Sequence, residues 1–265
     1  MSRPHIPPEL LDHVVDFLHD SSDALKSCSL VSKSWITRTR KHLFATIRFY
    51  HAEDLESWNT VFANPSTSPA CYTKTLIIGS PHVIAAAGTG EDCWLSGFSR
   101  VVHLTMNTLE AGSEQIAISL IPFHGFSPVL KSLRLHMPSD ALAPSKIFNL
   151  IRSFPLLDDL SVEDDPAENG DYRDFDEQPA TTQSSPAFTG SLELFSYIGM
   201  DLFASRLLSL PNGLHFRNLD LRWDRVADIS TSTALVEGCC STLESIKIDD
   251  GATFGTSVLH LRWHQ

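Results

Sequence analysis

The sequence predicts an α/β protein: a short N-terminal module of three helices, then strand–helix units stacked into one parallel sheet with the helices outside. Three observations lead there. Residues 6–49 carry apolar residues at helical spacing, bounded by proline and serine start signals. The spacing apolar-x-x-apolar-x-apolar then recurs at a nearly constant interval as far as residue 248. Segments of helical periodicity, several ending at proline, lie between the copies.

The first helix is expected to start at Pro7-Pro8, because proline is tolerated where the backbone N–H has no partner. Glu9 follows where the helix dipole favours an anion. On a helical wheel Leu10, Leu11, Val14, Val15, Phe17 and Leu18 span an arc of roughly 160°, wider than the ~100° stripe a surface helix needs. Asp12, His13, Asp16, His19 and Asp20 fill the opposite arc. Ser21, Ser22 and Asp23 are caps for a second helix from Ala24 to about Val31. Ser32 or Ser34 opens a third, carrying Trp35, Ile36 and Leu43, with Arg38, Arg40, Lys41 and His42 complementing the dipole at its end. About 40 residues make a small core, yet these apolar faces are generous, which predicts that part of the arc meets another protein.

These residues resemble the F-box family. Ile6-Pro7-Pro8-Glu9-Leu10-Leu11 is similar to its opening L-P-x-E-L-L, and Val14, Leu18, Asp23, Leu25, Cys28, Leu30, Val31, Trp35 and Leu43-Phe44 follow in order. Ile6 replaces the usual Leu, and Ser32 stands where Cys commonly follows the Val. The resemblance implies that Ile6, Pro7, Leu10, Leu11, Val14, Leu18, Leu25, Leu30 and Val31 bind a Skp-family adaptor and, through it, a cullin. Trp35 is expected to lock the third helix onto the other two.

The repeat has its central apolar residue at Ile47, Leu76, Leu104, Leu133, Leu160, Phe195, Leu219 and Ile246, giving intervals of 29, 28, 29, 27, 35, 24 and 27 residues. The mean of about 28 and the L-x-x-L-x-L form resemble leucine-rich repeats. Each unit alone cannot bury its apolar face, so a stack is the stable form. Helices are expected around residues 55–62, 147–154 and 202–210. A doubly wound sheet is the competing architecture, but no glycine-rich turn follows an early strand. The domain reading is residues 1–46 for the helical module and 47–265 for the repeats. The long interval is assigned to residues 163–187, an acidic mobile loop with eight Asp/Glu against Arg173, in which Ser184 and Ser185 are candidate phosphorylation sites. The C-terminal run from Asp249 is too short for a further full repeat and carries no polar cap, which reads as an incomplete gene product.

Charge and composition restrict the function. Residues 1–51 carry seven Lys/Arg against five Asp/Glu, and residues 52–265 carry 13 against 27. The larger part therefore repels nucleic acid and acidic membrane surfaces. Five cysteines without C-x-x-C spacing, no N-x-[ST] acceptor, no secretory signal and no long apolar run point to a cytoplasmic or nuclear protein with free thiols. Gly88-Thr89-Gly90 lacks the rest of a phosphate loop, and no G-x-S-x-G is present. His260 and His264 have metal spacing without a third ligand, so no metal or cofactor is expected. Cys239-Cys240 reads as a helix end, and Asp158-Asp159 and Asp164-Asp165 as a solvated rim. With no catalytic cluster, the chain reads as a non-enzymatic substrate-recognition subunit of a Skp–cullin–F-box ubiquitin ligase. The repeats would bind an unknown protein target. The alternative is an interaction scaffold that delivers no substrate.

Overall fold

The computed structural model describes residues 7–64, 67–86, 93–107, 119–138, 144–165, 186, 188–196, 200–223, 229–249 and 259–262. Three helices come first: α1 (Pro8–Phe17), α2 (Ser22–Val31) and α3 (Lys33–Leu43). Among the described residues, the remaining part is an α/β unit with one nine-stranded sheet in strictly sequential order. Its strands are β1 (Thr46–Phe49), β2 (Thr75–Ile78), β3 (His103–Asn107), β4 (Ser132–Pro138), β5 (Asp159–Asp165), β6 (Ser191–Ser196), β7 (Asn218–Trp223), β8 (Ser245–Asp249) and β9 (Leu259–Arg262). The first eight are parallel. The crossovers carry α4 (Ala52–Val61), α5 (Pro81–Ala85), α6 (Pro144–Arg152), α7 (Met200–Leu208) and α8 (Ile229–Cys239), with 3₁₀ turns at Pro69–Tyr72, Trp94–Phe98 and Ile121–Phe123. A doubly wound sheet would reverse its strand order at a switch point, and this one does not.

Period-two alternation decides which side is covered. Ile47, Leu76, Leu104, Leu133, Leu160, Leu192, Leu219 and Ile246 lie in one register row, and all are buried. The next inward row is Phe49, Ile78, Met106, Leu135, Val162, Leu194 and Leu221, also buried. Nearly all outward residues between them are exposed or half-exposed, so the core occupies one face of the sheet.

Backbone hydrogen bonds repeat with the strands. One carbonyl just before each strand accepts two N–H groups of the next unit: Ala45 takes Lys74 and Thr75, Lys74 takes Val102 and His103, Val102 takes Lys131 and Ser132, and Lys131 takes Asp158 and Asp159. Gly190 and Arg217 continue the series with Arg217/Asn218 and Glu244/Ser245. The β5–β6 junction departs from it. There the Asp158 carbonyl takes only the Gly190 N–H, at 3.2 Å, and the Asp159 carboxylate accepts the Ser191 N–H at 2.8 Å.

That junction corrects the sequence frame. The expected sixth motif, Leu192/Phe195/Tyr197, slips by three residues, because Leu160 pairs with Leu192 and Phe195 points outward. The intervals become 32 and 27 in place of 35 and 24, a more even spacing. The hidden signal is Phe188. It is fully buried, 4.8 Å from the Phe216 ring, and sits one residue early at φ 46°, a left-handed conformation costly for a bulky side chain. Glu163 to Asp165, expected in the acidic loop, extend β5 instead. Positions 166–185 and 187, with Ser184 and Ser185, lie outside the described residues, as do Gly88-Thr89-Gly90 and Tyr197.

The run after Asp249 forms β9, antiparallel to β8 with Ile246 opposite Leu261. Nine residues separate the two strands, fewer than the dozen or more a parallel crossover takes. His260 therefore lies on a strand, where the helical metal spacing with His264 does not apply, and His264 is outside the described residues.

Candidate functional site

Among the described residues, the N-terminal trio carries five of the exposed large apolar side chains: Leu10, Val14, Phe17, Leu30 and Val31. α1 has Pro8 in its first turn and Glu9 beside it, as its start signal predicts. α2 is capped by the Ser21 hydroxyl, which accepts from the Ala24 N–H at 3.4 Å. The Ser32 hydroxyl caps α3 by accepting from Ser34 N–H at 3.3 Å. The 160° arc of α1 is divided by packing. Val15 is fully buried, with Leu11 and Leu18 half-buried along the same row. Leu10, Val14 and Phe17 form the adjacent row and are 55%, 51% and 86% exposed. At the end of α2, Leu30 and Val31 are 88% and 72% exposed.

Of the residues the family resemblance nominates, Pro7, Leu10, Val14, Leu30 and Val31 are therefore on the surface, and Leu11 and Leu18 are partly so. Leu25 is 1% exposed, so it holds the trio together and has no surface to offer a partner. Ile6 lies outside the described residues. Phe17, absent from that set, is the most exposed apolar residue of α1; its position seven after Leu10 is the signal that finds it.

One ionic cluster ties α1 to α3. The Arg38 guanidinium donates through Nε to Asp16 Oδ1 at 2.6 Å and through Nη2 to Oδ2, and His42 Nε2 lies 2.8 Å from Oδ1. The three side chains are about one-third exposed or less. Hydrogen bonds from Arg38 and His42 hold the Asp16 carboxyl well below the usual carboxylate range, and the same bond to Asp16 raises Arg38. Arg38 and His42 are thus engaged by a carboxylate, beyond the dipole role expected of them. Trp35, expected to lock α3 in place, is half-buried, and its indole Nε1 has no hydrogen-bond partner among the described residues.

The trio joins the sheet without a spacer. Only Phe44 and Ala45 separate α3 from β1. Phe44 meets Trp58 and Phe62 of the first crossover edge-on at 6.1 and 5.9 Å, and the Ala45 carbonyl starts the repeating backbone series.

The outward face of the sheet is the second candidate surface. Its rows read Thr46, Thr75, His103, Ser132, Asp159 and Arg48, Ile77, Thr105, Arg134, Ser161, Glu193, Asp220, Lys247. Much of the charge is compensated within the face. Arg134 reaches across β5 to Glu193 at 3.2 Å, covering Ser161, which is 7% exposed. Asp220 takes both Arg222 at 3.3 Å and Lys247 at 3.1 Å, and the Arg222 guanidinium stands 4.2 Å above the Phe195 ring. Asn218 links Ser191 and Ser245. Asp158 and Asp159 accept from Thr189 and Ser191, so they act as caps and not as a loose rim.

No family model matches the chain, and no curated protein matches it. Among the described residues, no group of three or more His, Cys, Asp or Glu is placed to hold a metal ion, and no helix is long and apolar enough to cross a membrane. Cys28, Cys71, Cys93, Cys239 and Cys240 are all free thiols. Cys239 is buried at the end of α8, which pushes its thiol up to about 11, while Cys240 is exposed.

Proposed function

We propose that the chain is a substrate-recognition subunit of a Skp–cullin–F-box ubiquitin ligase. The trio α1–α3 is read as an F-box, and the sequential sheet as a leucine-rich-repeat-like solenoid that holds a protein target. The observation that carries this reading is the exposed apolar set Leu10, Val14, Phe17, Leu30 and Val31 on a module of only three short helices. Apolar side chains of this size, left uncovered on one small module, mark an interaction surface. The residue order from Pro7 to Phe44 supports the Skp-family adaptor as the partner. The one-sided core supports the solenoid, because it leaves a broad polar sheet face free for a target. The role is recognition: the assembly accelerates ubiquitin transfer by holding target and conjugating enzyme together.

The test is co-purification of the full chain with a Skp-family adaptor. The parent should bind, and Leu10→Asp with Val14→Asp should weaken binding by about 100-fold or more, as loss of central apolar anchors does. Equal recovery of parent and variant would sink the adaptor assignment. Ubiquitin-dependent turnover of a protein captured by the sheet face separates a ligase subunit from a scaffold that delivers no substrate.

A further inference from the structure

α1 and its C-cap Leu18 carry two apolar rows one residue apart. Leu11, Val15 and Leu18 face inward, and Leu10, Val14 and Phe17 face outward. Both repeat at i, i+4, i+7, and both read Leu, Val, then a large apolar residue. Hydrophobicity therefore discriminates poorly between them. A roll of α1 by one residue position, about 100°, would bury the second row and expose the first.

Asp16 breaks this near-equivalence. It lies in the last turn of α1, where the helix dipole disfavours a carboxylate, and no basic residue of α1 occupies that turn. Its partners come from α3, where Arg38 engages both carboxylate oxygens and His42 engages one. On the wheel Asp16 stands about 100° beyond Val15 and at least that far from each residue of the outer row. Burial at Val15 and the ionic contact of Asp16 with α3 thus anchor the helix along two separate lines, and two lines fix rotation where one permits rolling. A partly buried ionic group that sets register is a known use of such groups.

We propose that the Asp16–Arg38/His42 cluster is a rotational lock that selects Leu10, Val14 and Phe17 as the exposed row of α1. Asp16 is a positioning residue in this scheme. Its consequence for adaptor docking rests on the function proposed above; the lock itself does not.

The experiment is maleimide labelling of the full chain, read site by site by peptide mass spectrometry. Leu10→Cys and Leu11→Cys are made separately, in the parent and with Asp16→Asn, and native Cys28 of α2 reports whether the trio stays folded. In the parent the thiol at position 10 should react about 10-fold faster than that at position 11, as exposed and protected sites do. With Asp16→Asn the two rates should converge to within about 3-fold while Cys28 keeps its parent rate. The reversed pair Asp16→Arg with Arg38→Asp should restore the difference. An unchanged ratio with Asp16→Asn overturns the proposal. So does a joint rise at positions 10, 11 and 28, because Asp16 would then hold the trio together without choosing its face. Neither result depends on whether an adaptor binds.

Discussion

The Asp159 carboxylate accepts the Ser191 backbone N–H at 2.8 Å, doing at one junction what a main-chain carbonyl does at the regular ones. The substitution is tied to spacing. The β5–β6 interval is 32 residues, the longest in the sheet, and the chain re-enters the stack through Phe188 at φ 46°. A side chain reaches where the displaced carbonyl does not.

Gly190 makes that reach possible. A Cβ there would stand 2.3 Å from Asp159 Oδ1 and 3.0 Å from the Asp158 carbonyl oxygen. Gly190→Ala should therefore destabilise the chain by about 1–3 kcal/mol, comparable to loss of a buried polar contact. The check is the midpoint of urea unfolding. Asp159→Ala should cost a similar amount and, combined with Gly190→Ala, less than the sum, since both act on one hydrogen bond.

Phe49 should be a highly sensitive position at the first edge of the sheet, where β1 packs on the first two crossovers. It is 2% exposed and meets Trp58, Trp94 and Phe98 at ring-centroid distances of 5.8, 5.2 and 6.2 Å. Phe49→Ala is expected to cost about 3–5 kcal/mol, whereas Val61→Ala, 70% exposed on α4, should stay within about 0.5 kcal/mol. Thermal unfolding of the two variants side by side gives the comparison.

Acid should loosen the trio through Asp16. Its folded carboxyl titrates well below the ordinary carboxylate range, so in acid the unfolded chain binds the proton first. Stability from the cluster is present above the unfolded value and is lost as pH falls toward the folded one. The parent should therefore lose urea resistance below about pH 4 more steeply than Asp16→Asn, which has no carboxylate to protonate. Parallel pH profiles for the two chains would remove Asp16 as the cause.

The thiols should separate by reactivity. Cys71 and Cys240 are exposed, while Cys239 is buried with its thiol raised to about 11. Iodoacetamide at neutral pH is expected to modify Cys71 and Cys240 in the native chain and Cys239 only on unfolding, since the thiolate is the reacting form. Early modification of Cys239 in the folded chain would contradict its place at the packed end of α8.

Much of this architecture is legible in the residue order because its signals are local. Pro8, Ser21 and Ser32 start α1, α2 and α3 where their chemistry predicts. The alternating apolar residues of Leu133/Leu135 or Leu219/Leu221 announce strands buried on one face. α8 is announced only by its end at Cys239-Cys240, because Ile229–Cys239 mixes Ser and Thr with its apolar residues, has a weak helical period and no proline stop. β6 was misframed because Phe195 and Tyr197 imitate the motif, while Phe188 holds the interior position through a conformation that no spacing rule reveals.

The sequence by itself determined the three leading helices, the repeated strands and the surplus of apolar surface on α1, since each follows from periodicity within a few turns of chain. Which row of that helix faces outward was decided only in the tertiary structure. Leu10 and Leu11 are chemically alike, and a helix alone has no preferred roll. The choice needs Arg38 and His42, 22 and 26 residues further on, brought beside Asp16 by the folding of α3 against α1.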